Sequence, residues 1–594
     1  MSRNIANRRV YDWKAIPWRK LEKAVFKLQK RIYRATQKGD KRLVRRLQGL
    51  MTRSWSAKMI AVRQVTQQNQ GKKTAGVDGV TALKPTERQP LVKQLQITRR
   101  RKVCPTRRVW IPKPGRDEKR PLGIPTIYDR ALQGVVKMAL EPEWEAVFEA
   151  NSYGFRRPRG CHDAIEAIFN SIRQKSKWVL DADIAKCFDK IDHQALLQKL
   201  NSISPIRRIV RGWLKAGVMD GGTFQPTEAG TPQGGVISPL LANIALHGIE
   251  MEIKSIPLPK STRISIVRYA DDFVVLHESL EVIEQAKQVI QRWLAKVGLE
   301  LKPEKTRISH TLEGKEPGFD FLGFHIRQYK VGKYHSGKNS HGILLGFKTL
   351  IKPSQKAIDR HKEKLCGIVK RHRALPQAAM IAKLNPIIRG WCNYYRTVVS
   401  RETFEEMDYY LWTLTWKWAN RRHPNKTGKW VAGKYWTPNK DRQWNFIGKL
   451  KNGDEVELLQ HSETEIIRHV KVKGTASPMD GNLVYWSKRL RKSPDVTPRV
   501  LNLLKRQQGK CERCGLTFMD GDKWEVDHVL PTSLGGKDWY TNLQLIHDYC
   551  HDAKSAEDGS RGGRTLADIE AEEPDEVKVS RPVLKTSRPG DGLA

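Results

Sequence analysis

Leu21, Val25, Leu28 and Ile32 recur at helical spacing, and Leu43, Leu47 and Leu50 repeat the pattern. Two amphipathic helices are expected there. From about 70 to 330, short apolar runs alternate with helical periodicity, as in an α/β or α+β domain. Within this region Trp178–Ile184 (WVLDADI) has period two. Trp178, Leu180, Ala182 and Ile184 share one face of a strand, and Val179, Asp181 and Asp183 the other. Ile264, Ile266 and Val267 precede Tyr269-Ala270-Asp271-Asp272, and Phe273–Leu276 follow. This reads as a hairpin with an acidic turn. Residues 345–420 read as helical and aromatic. The i, i+4 pair Trp412 and Trp416 is expected inside a helix core. From 420 to 495, Trp430, Trp436, Trp444 and Trp486 stand among Lys and Arg. Residues 487–499 (SKRLRKSPDVTPR) read as a linker. No fixed-period repeat is visible.

Charge sharpens this picture. The 594 residues hold 108 Lys plus Arg against 63 Asp plus Glu, a net charge of +45, and 39% are hydrophobic. The chain can build several cores and is not a disordered polycation. Residues 1–60 alone carry 18 Lys/Arg against Asp12, Glu22 and Asp40. A folded polycation points to nucleic acid. No apolar run suits a membrane span, and the start (MSRNIANRR) lacks the apolar stretch of a secretory leader. Eight Cys are too sparse for a disulfide framework. A reducing compartment is expected.

Two adjacent Asp between buried strands are costly unless a cation neutralises them. A second strand bringing another carboxylate would hold two Mg²⁺ ions about 4 Å apart, an arrangement suited to in-line phosphoryl transfer. Spacing alone leaves Asp181 and Asp183 open as that partner. Nearer the C-terminus, Cys511-x-x-Cys514 and His547-x-x-Cys550-His551 make a candidate tetrahedral Zn²⁺ site. Its ligands would be Cys511, Cys514, His547 and Cys550, with His551 the alternative fourth. So small a unit needs such a staple. Gly71-Lys72-Lys73-Thr74 is not a phosphate-binding loop, because Thr66 replaces the required Gly.

Longer blocks occur in a fixed order. They are 68–79 (QNQGKKTAGVDG), 120–125 (RPLGIP), 183–193 (DIAKCFDKIDH), 230–239 (GTPQGGVISP), 298–306 (GLELKPEKT), 319–324 (FDFLGF) and 384–395 (LNPIIRGWCNYY). With the Cys/His unit they resemble group II intron-encoded proteins, reverse transcriptase/maturases with a C-terminal HNH endonuclease. The resemblance implies a multidomain α/β (α+β) fold: right-hand fingers and palm, a helical thumb (domain X), a DNA-binding region and a small zinc-stapled ββα-metal (HNH) domain. The expected boundaries are a basic helical extension at 1–80, fingers and palm at 81–335, thumb at 336–420, DNA-binding region and linker at 421–499, HNH domain at 500–556, and an acidic, disordered tail at 557–594.

The resemblance also implies roles. Asp183, Asp271 and Asp272 would hold the polymerase Mg²⁺. Phe188 would exclude a ribose 2′-hydroxyl, Lys113 and Arg120 would contact the triphosphate, and Gln233 the incoming nucleotide. Asp189 and Asp192 would be structural. In the HNH unit (Glu525-Val526-Asp527-His528 to Thr541-Asn542), His528 would be the general base. Asp527 and His551 would hold a catalytic Mg²⁺, and Asn542 would orient His528 or support the metal. His547 stands where Cys is commoner. The partners implied are group II intron RNA, double-stranded target DNA and deoxynucleoside triphosphates, with no membrane, and the location implied is a bacterial cytoplasm, alongside RNA and nucleoid DNA, with an organelle as the alternative. The implied function is copying intron RNA, assisting splicing and nicking the DNA target. The alternatives are a splicing-only maturase, a reverse transcriptase of another class, and a protein that is mainly a DNA endonuclease.

Overall fold

The computed structural model divides the chain into two compact units, Met1–Asp480 and Gly481–Ala594. It describes residues 13–98, 102–112, 118–339, 341–439, 442–450, 452–490, 493–519 and 522–558. Lys113 and the expected tail from residue 559 onward lie outside the described residues.

The first unit begins with helices Trp18–Gln37, Lys41–Arg53 and Trp55–Arg63, packed on helix Ile127–Val147. Asp40 and Ser54 start the second and third by accepting from the Leu43 and Ala57 N–H groups. The expected stripe is present with one exchange: Val25, Ile32, Val44 and Leu47 are buried, whereas Leu50 faces solvent. Helix Ile127–Val147 is buried nearly all round, because helices close on it from several sides.

At the centre is a four-stranded antiparallel sheet. Its order is Ser265–Tyr269, Asp272–His277, Trp178–Asp183, Arg307–His310. Alternate residues enter two different cores. Leu180, Ala182, Phe273 and Val275 join helix Leu280–Ala295, while Val179, Val274 and Leu276 join helix Cys161–Ile172. Strands buried on both faces read as nearly continuous apolar runs, which is why the acidic residues stand out. A second sheet runs Lys119–Ile124, Thr106–Pro112, Val218–Asp220, Thr223–Gln225.

The sheet Phe319–Phe321, Phe324–Lys330, Phe347–Pro353 leads into helices Gln355–Arg371, Gln377–Tyr395 and Arg401–Arg422. The Tyr394 and Tyr395 hydroxyls donate to the carbonyls of Leu322 and Gly323 at 2.9 and 3.1 Å and tie the last helices to that sheet. The aromatic stretch beyond 420 also contains a three-stranded sheet, Trp436–Asn439, Arg442–Lys449, Glu455–Glu457. Trp436 and Phe446 pack into the helical core.

The second unit is a hairpin, Trp524–His528 with Leu543–His547, followed by helix Asp548–Glu557. Helix Pro498–Arg506 supplies Val500, Leu503 and Leu504 to its core. Thr497 caps that helix and Pro498 occupies its first turn, at the end of the stretch read as a linker. No helix among the described residues is long and apolar enough to cross a membrane.

Candidate active sites

The register of the central sheet places Asp183 directly across from Asp272. Asp181 instead lies across from Val274 and Arg307, two residues further from the turn. Asp271 occupies the turn itself. Burial raises the Asp271 carboxyl above its usual range. Burial, then the charges of Asp271 and Asp183, push Asp272 up to about 7. Burial also pushes Asp181 up to about 7. Carboxylates gathered this closely ionise together only beside a cation. Here Lys305 supplies one by pairing with Asp183. The donor set therefore fits Mg²⁺.

Sequence reasoning missed the residue beneath this turn. Arg268 is fully buried. Its guanidinium donates to the Ala270 carbonyl at 3.1 Å, to Asn243 Oδ1 at 3.1 Å and to Ser152 Oγ at 2.7 Å. A Cβ at Gly154 would stand 2.2 Å from the Ala270 nitrogen, so only glycine lets the chain pass under the turn. The available signal was a single charge among the buried apolar residues of a strand.

A cleft of about 1070 Å³ opens from Asp183 and Asp271, lined also by Phe188, Gln233 and Arg120. Phe188 rides the short helix Cys187–Lys190, half-buried, edge-to-face with Phe155 at 6.1 Å. Gln233 donates to the Asp189 carboxylate at 3.1 Å, while its carbonyl accepts from Gly123 N–H at 2.7 Å. One glutamine thus joins two walls of the cleft. Gly230, at φ +84°, runs so close to Asp189 that a Cβ would lie 2.6 Å from the carbonyl oxygen. Asp192 caps helix His193–Leu200 through Ala195 N–H. Arg120 is exposed on strand Lys119–Ile124.

In the helical region Trp391 stacks on His361 at 4.4 Å. The expectation for Trp412 is corrected. It is 40% exposed and stacks between Tyr409 and Trp416, at 6.0 and 5.8 Å. The i, i+4 spacing gave a shared face but not the side that face turns to. Trp416 is half-buried against Trp436.

In the second unit, ligand atoms of Cys511, Cys514, His547 and Cys550 all lie within 4.8 Å of one another. A tetrahedral metal with bonds of about 2.3 Å to sulfur separates its ligands by a little under 4 Å, so this cluster fits one metal ion. His547 ends the second strand and belongs to the cluster. His551, on the following helix, instead faces Asp527 at 3.9 Å. Asp527 also receives Lys554 at 3.1 Å and Gln544 at 2.8 Å. The His528 ring is 3.3 Å from Asp538, which Arg499 pairs at 3.0 Å. Asp538 was not anticipated. The Asn542 side chain bonds backbone of the loop after His528, at Leu530 and Lys537.

Four family descriptions match along the chain. They are the N-terminal domain of reverse transcriptase over 13–95, reverse transcriptase (RNA-dependent DNA polymerase) over 111–326, the group II intron maturase-specific domain over 358–436 and HNH endonuclease over 511–557. Group II intron-encoded protein LtrA of Lactococcus lactis subsp. cremoris is 30% identical over 385 residues, 52% of this chain and 63% of the relative. This chain thus spans less than two thirds of that relative. Protein YkfC of Escherichia coli (strain K12) is 33% identical over 329 residues, 48% of this chain and 83% of the relative. A solved structure of apo telomerase from Candida tropicalis, truncated from its C-terminal domain, aligns with TM-score 0.31 and 14% identity, covering 38% of this chain and 53% of that one.

Proposed function

The chain belongs to the group II intron-encoded reverse transcriptase/maturases that carry an HNH domain, and from that membership we propose that it copies intron RNA into DNA, assists intron splicing and nicks a double-stranded DNA target to prime the copying. The observation that carries the copying reading is the register pairing of Asp183 with Asp272 beside Asp271. The domain boundaries argued from the sequence belong to this proposal, as does a cytoplasmic location alongside RNA and nucleoid DNA.

In the polymerase, Asp183, Asp271 and Asp272 hold the metal. Bound there, two Mg²⁺ ions would supply the charge that activates a primer 3′-hydroxyl and stabilises a leaving pyrophosphate. Lys305 pairs with Asp183, and Lys305, Arg120 and Lys113 would contact the triphosphate. Gln233 meets the incoming nucleotide at the junction it already bridges. Phe188 presents its ring where a 2′-hydroxyl would project.

In the nuclease, His528 takes the proton from the attacking water, and Asp538 holds its ring. Asp527 and His551 would hold a divalent ion. Cys511, Cys514, His547 and Cys550 hold a structural Zn²⁺. The basic surface binds intron RNA largely through phosphates, so affinity falls steeply with salt.

Primer extension on an RNA template, comparing wild type with Asp272→Asn, tests the polymerase. Equal DNA synthesis by the two would remove the reading. A splicing-only maturase would make no DNA in either form.

A further inference from the structure

The loop joining the two strands of the second unit, residues 529–540, is firmly built yet presents apolar side chains to solvent. Asn542 spends its whole amide on it. Its Oδ1 accepts from Leu530 N–H at 2.8 Å, and its Nδ2 donates to the carbonyls of Leu530 and Lys537, both at 3.0 Å. Gly536 passes so close that a Cβ there would stand 1.9 Å from the Leu530 carbonyl oxygen. A loop pinned through its backbone does not need its apolar side chains for its own packing. Val529 is 53% exposed, Leu530 48%, Leu534 61% and Trp539 64%. Single exposed apolar residues are ordinary, but these four, with Tyr540 beside them at 50%, make five on one pinned loop and mark a contact surface.

The surroundings select the partner. The loop leaves directly from His528 and returns through Asp538, which holds the His528 ring. Cations frame it, with Lys537 over the Trp539 ring at 5.0 Å and Arg499 against Asp538. A cationic frame, an apolar tip and an adjacent nuclease base match duplex DNA, whose phosphates meet the frame and whose base pairs meet the tip.

We propose that the 529–540 loop is a DNA wedge: Leu534 and Trp539 press into a base step beside the phosphate that His528 serves, and unstack it. Apolar side chains entering a base step kink the duplex and widen the groove, which brings the strand to the base. The proposal rests on the nuclease reading of this unit and adds how the duplex is prepared for it.

The test uses the full chain as wild type and as the double variant Leu534→Ser, Trp539→Ala. Two short duplexes carry the fluorescent base aminopurine at the centre, one fully paired and one with an unpaired bubble at the same place. Wild type is expected to raise fluorescence on the paired duplex and to nick both. The variant is expected to bind without the rise, to nick the bubbled duplex at the wild-type rate and the paired duplex at least about tenfold more slowly. A variant equal to wild type on the paired duplex, or slowed equally on both, overturns the wedge. The tip would then serve a protein partner or an undeformed groove. Both positions are exposed, so bound metal should be unchanged. If it falls, Leu534→Ser alone carries the comparison. His528→Ala separates the two readings, since it should abolish nicking and keep the rise. A rise without any wild-type nicking removes the nuclease reading and keeps the wedge, whereas nicking without a rise removes the wedge alone.

Discussion

Arg268 donates to the carbonyl of Ala270 at 3.1 Å, at the one residue of the acidic turn whose backbone enters the left-handed region (φ +59°). A non-glycine residue holds that conformation only when its surroundings over-determine it. Here the over-determination is a buried guanidinium anchored also to Asn243 and Ser152. Arg268→Met leaves those acceptors unpaired and should cost about 3 kcal/mol of stability, read by urea denaturation. DNA synthesis should fall further than the unfolded fraction explains. Nicking by the second unit, compared at a temperature where both proteins are folded, should persist. Full synthesis by the folded variant would show that the turn holds its shape without the clamp.

Phe188 is half-buried against Phe155, on the cleft that Asp183 and Asp271 line. Phe188→Ala removes the ring that would meet a 2′-hydroxyl. The ratio of kcat/KM for a ribonucleotide to that for the matching deoxynucleotide should rise by roughly a hundredfold, a discrimination that pocket shape can supply. An unchanged ratio, with deoxynucleotide kinetics intact, would reduce Phe188 to a packing residue.

These tests bear on residues that the sequence revealed unevenly. Strand Trp178–Asp183 and the Tyr269–Asp272 turn were legible, because strands buried on both faces leave a dense apolar run and carboxylates interrupt it. Which of Asp181 and Asp183 stands beside the turn was not legible in the spacing. Both lie on one face, and only the register with Asp272, some ninety residues away, separates them. Trp412 and Trp416 show the same gap from the other side, since helical spacing groups residues on a face without saying whether the face is covered. Arg268 drew no reading from the strand pattern, because its burial depends on Ser152 and Asn243 from other elements. The Cys/His spacing gave the ligand types. That His547 rather than His551 joins the thiols depends on where strand Leu543–His547 ends and the helix begins.

That junction makes the metal cluster a folding element. Cys511 and Cys550 are buried in the core of the second unit together with Leu503, Leu504 and Leu545, an apolar core that is small for independent stability. Cys550→Ser, or a strong chelator, should unfold this unit and abolish nicking, while DNA synthesis by the first unit continues. Metal analysis should give one zinc per wild-type chain and none in the variant. A variant that still nicks would show that the core suffices without the metal.

The helical region carries a pH dependence of its own. His361 Nε2 lies 2.9 Å from His461 Nε2, and His461 Nδ1 lies 2.8 Å from Asp408. Burial first, then the neighbouring His461 and Lys364, pulls His361 down to about 3. In the unfolded chain the same ring titrates near its ordinary value of about 6.5. Between those values the unfolded chain holds a proton that the folded chain does not, so stability rises with pH through the window. This contribution is fully present above the unfolded value and is lost as pH falls toward the folded one. Going from pH 7 to pH 5, it should remove about 2 kcal/mol from the first unit. His361→Gln keeps a polar group in the chain but does not titrate, so the loss between those two pH values should shrink by that amount. Urea midpoints of wild type and variant at the two pH values decide it: an equal loss in both would place the acid sensitivity elsewhere in the molecule.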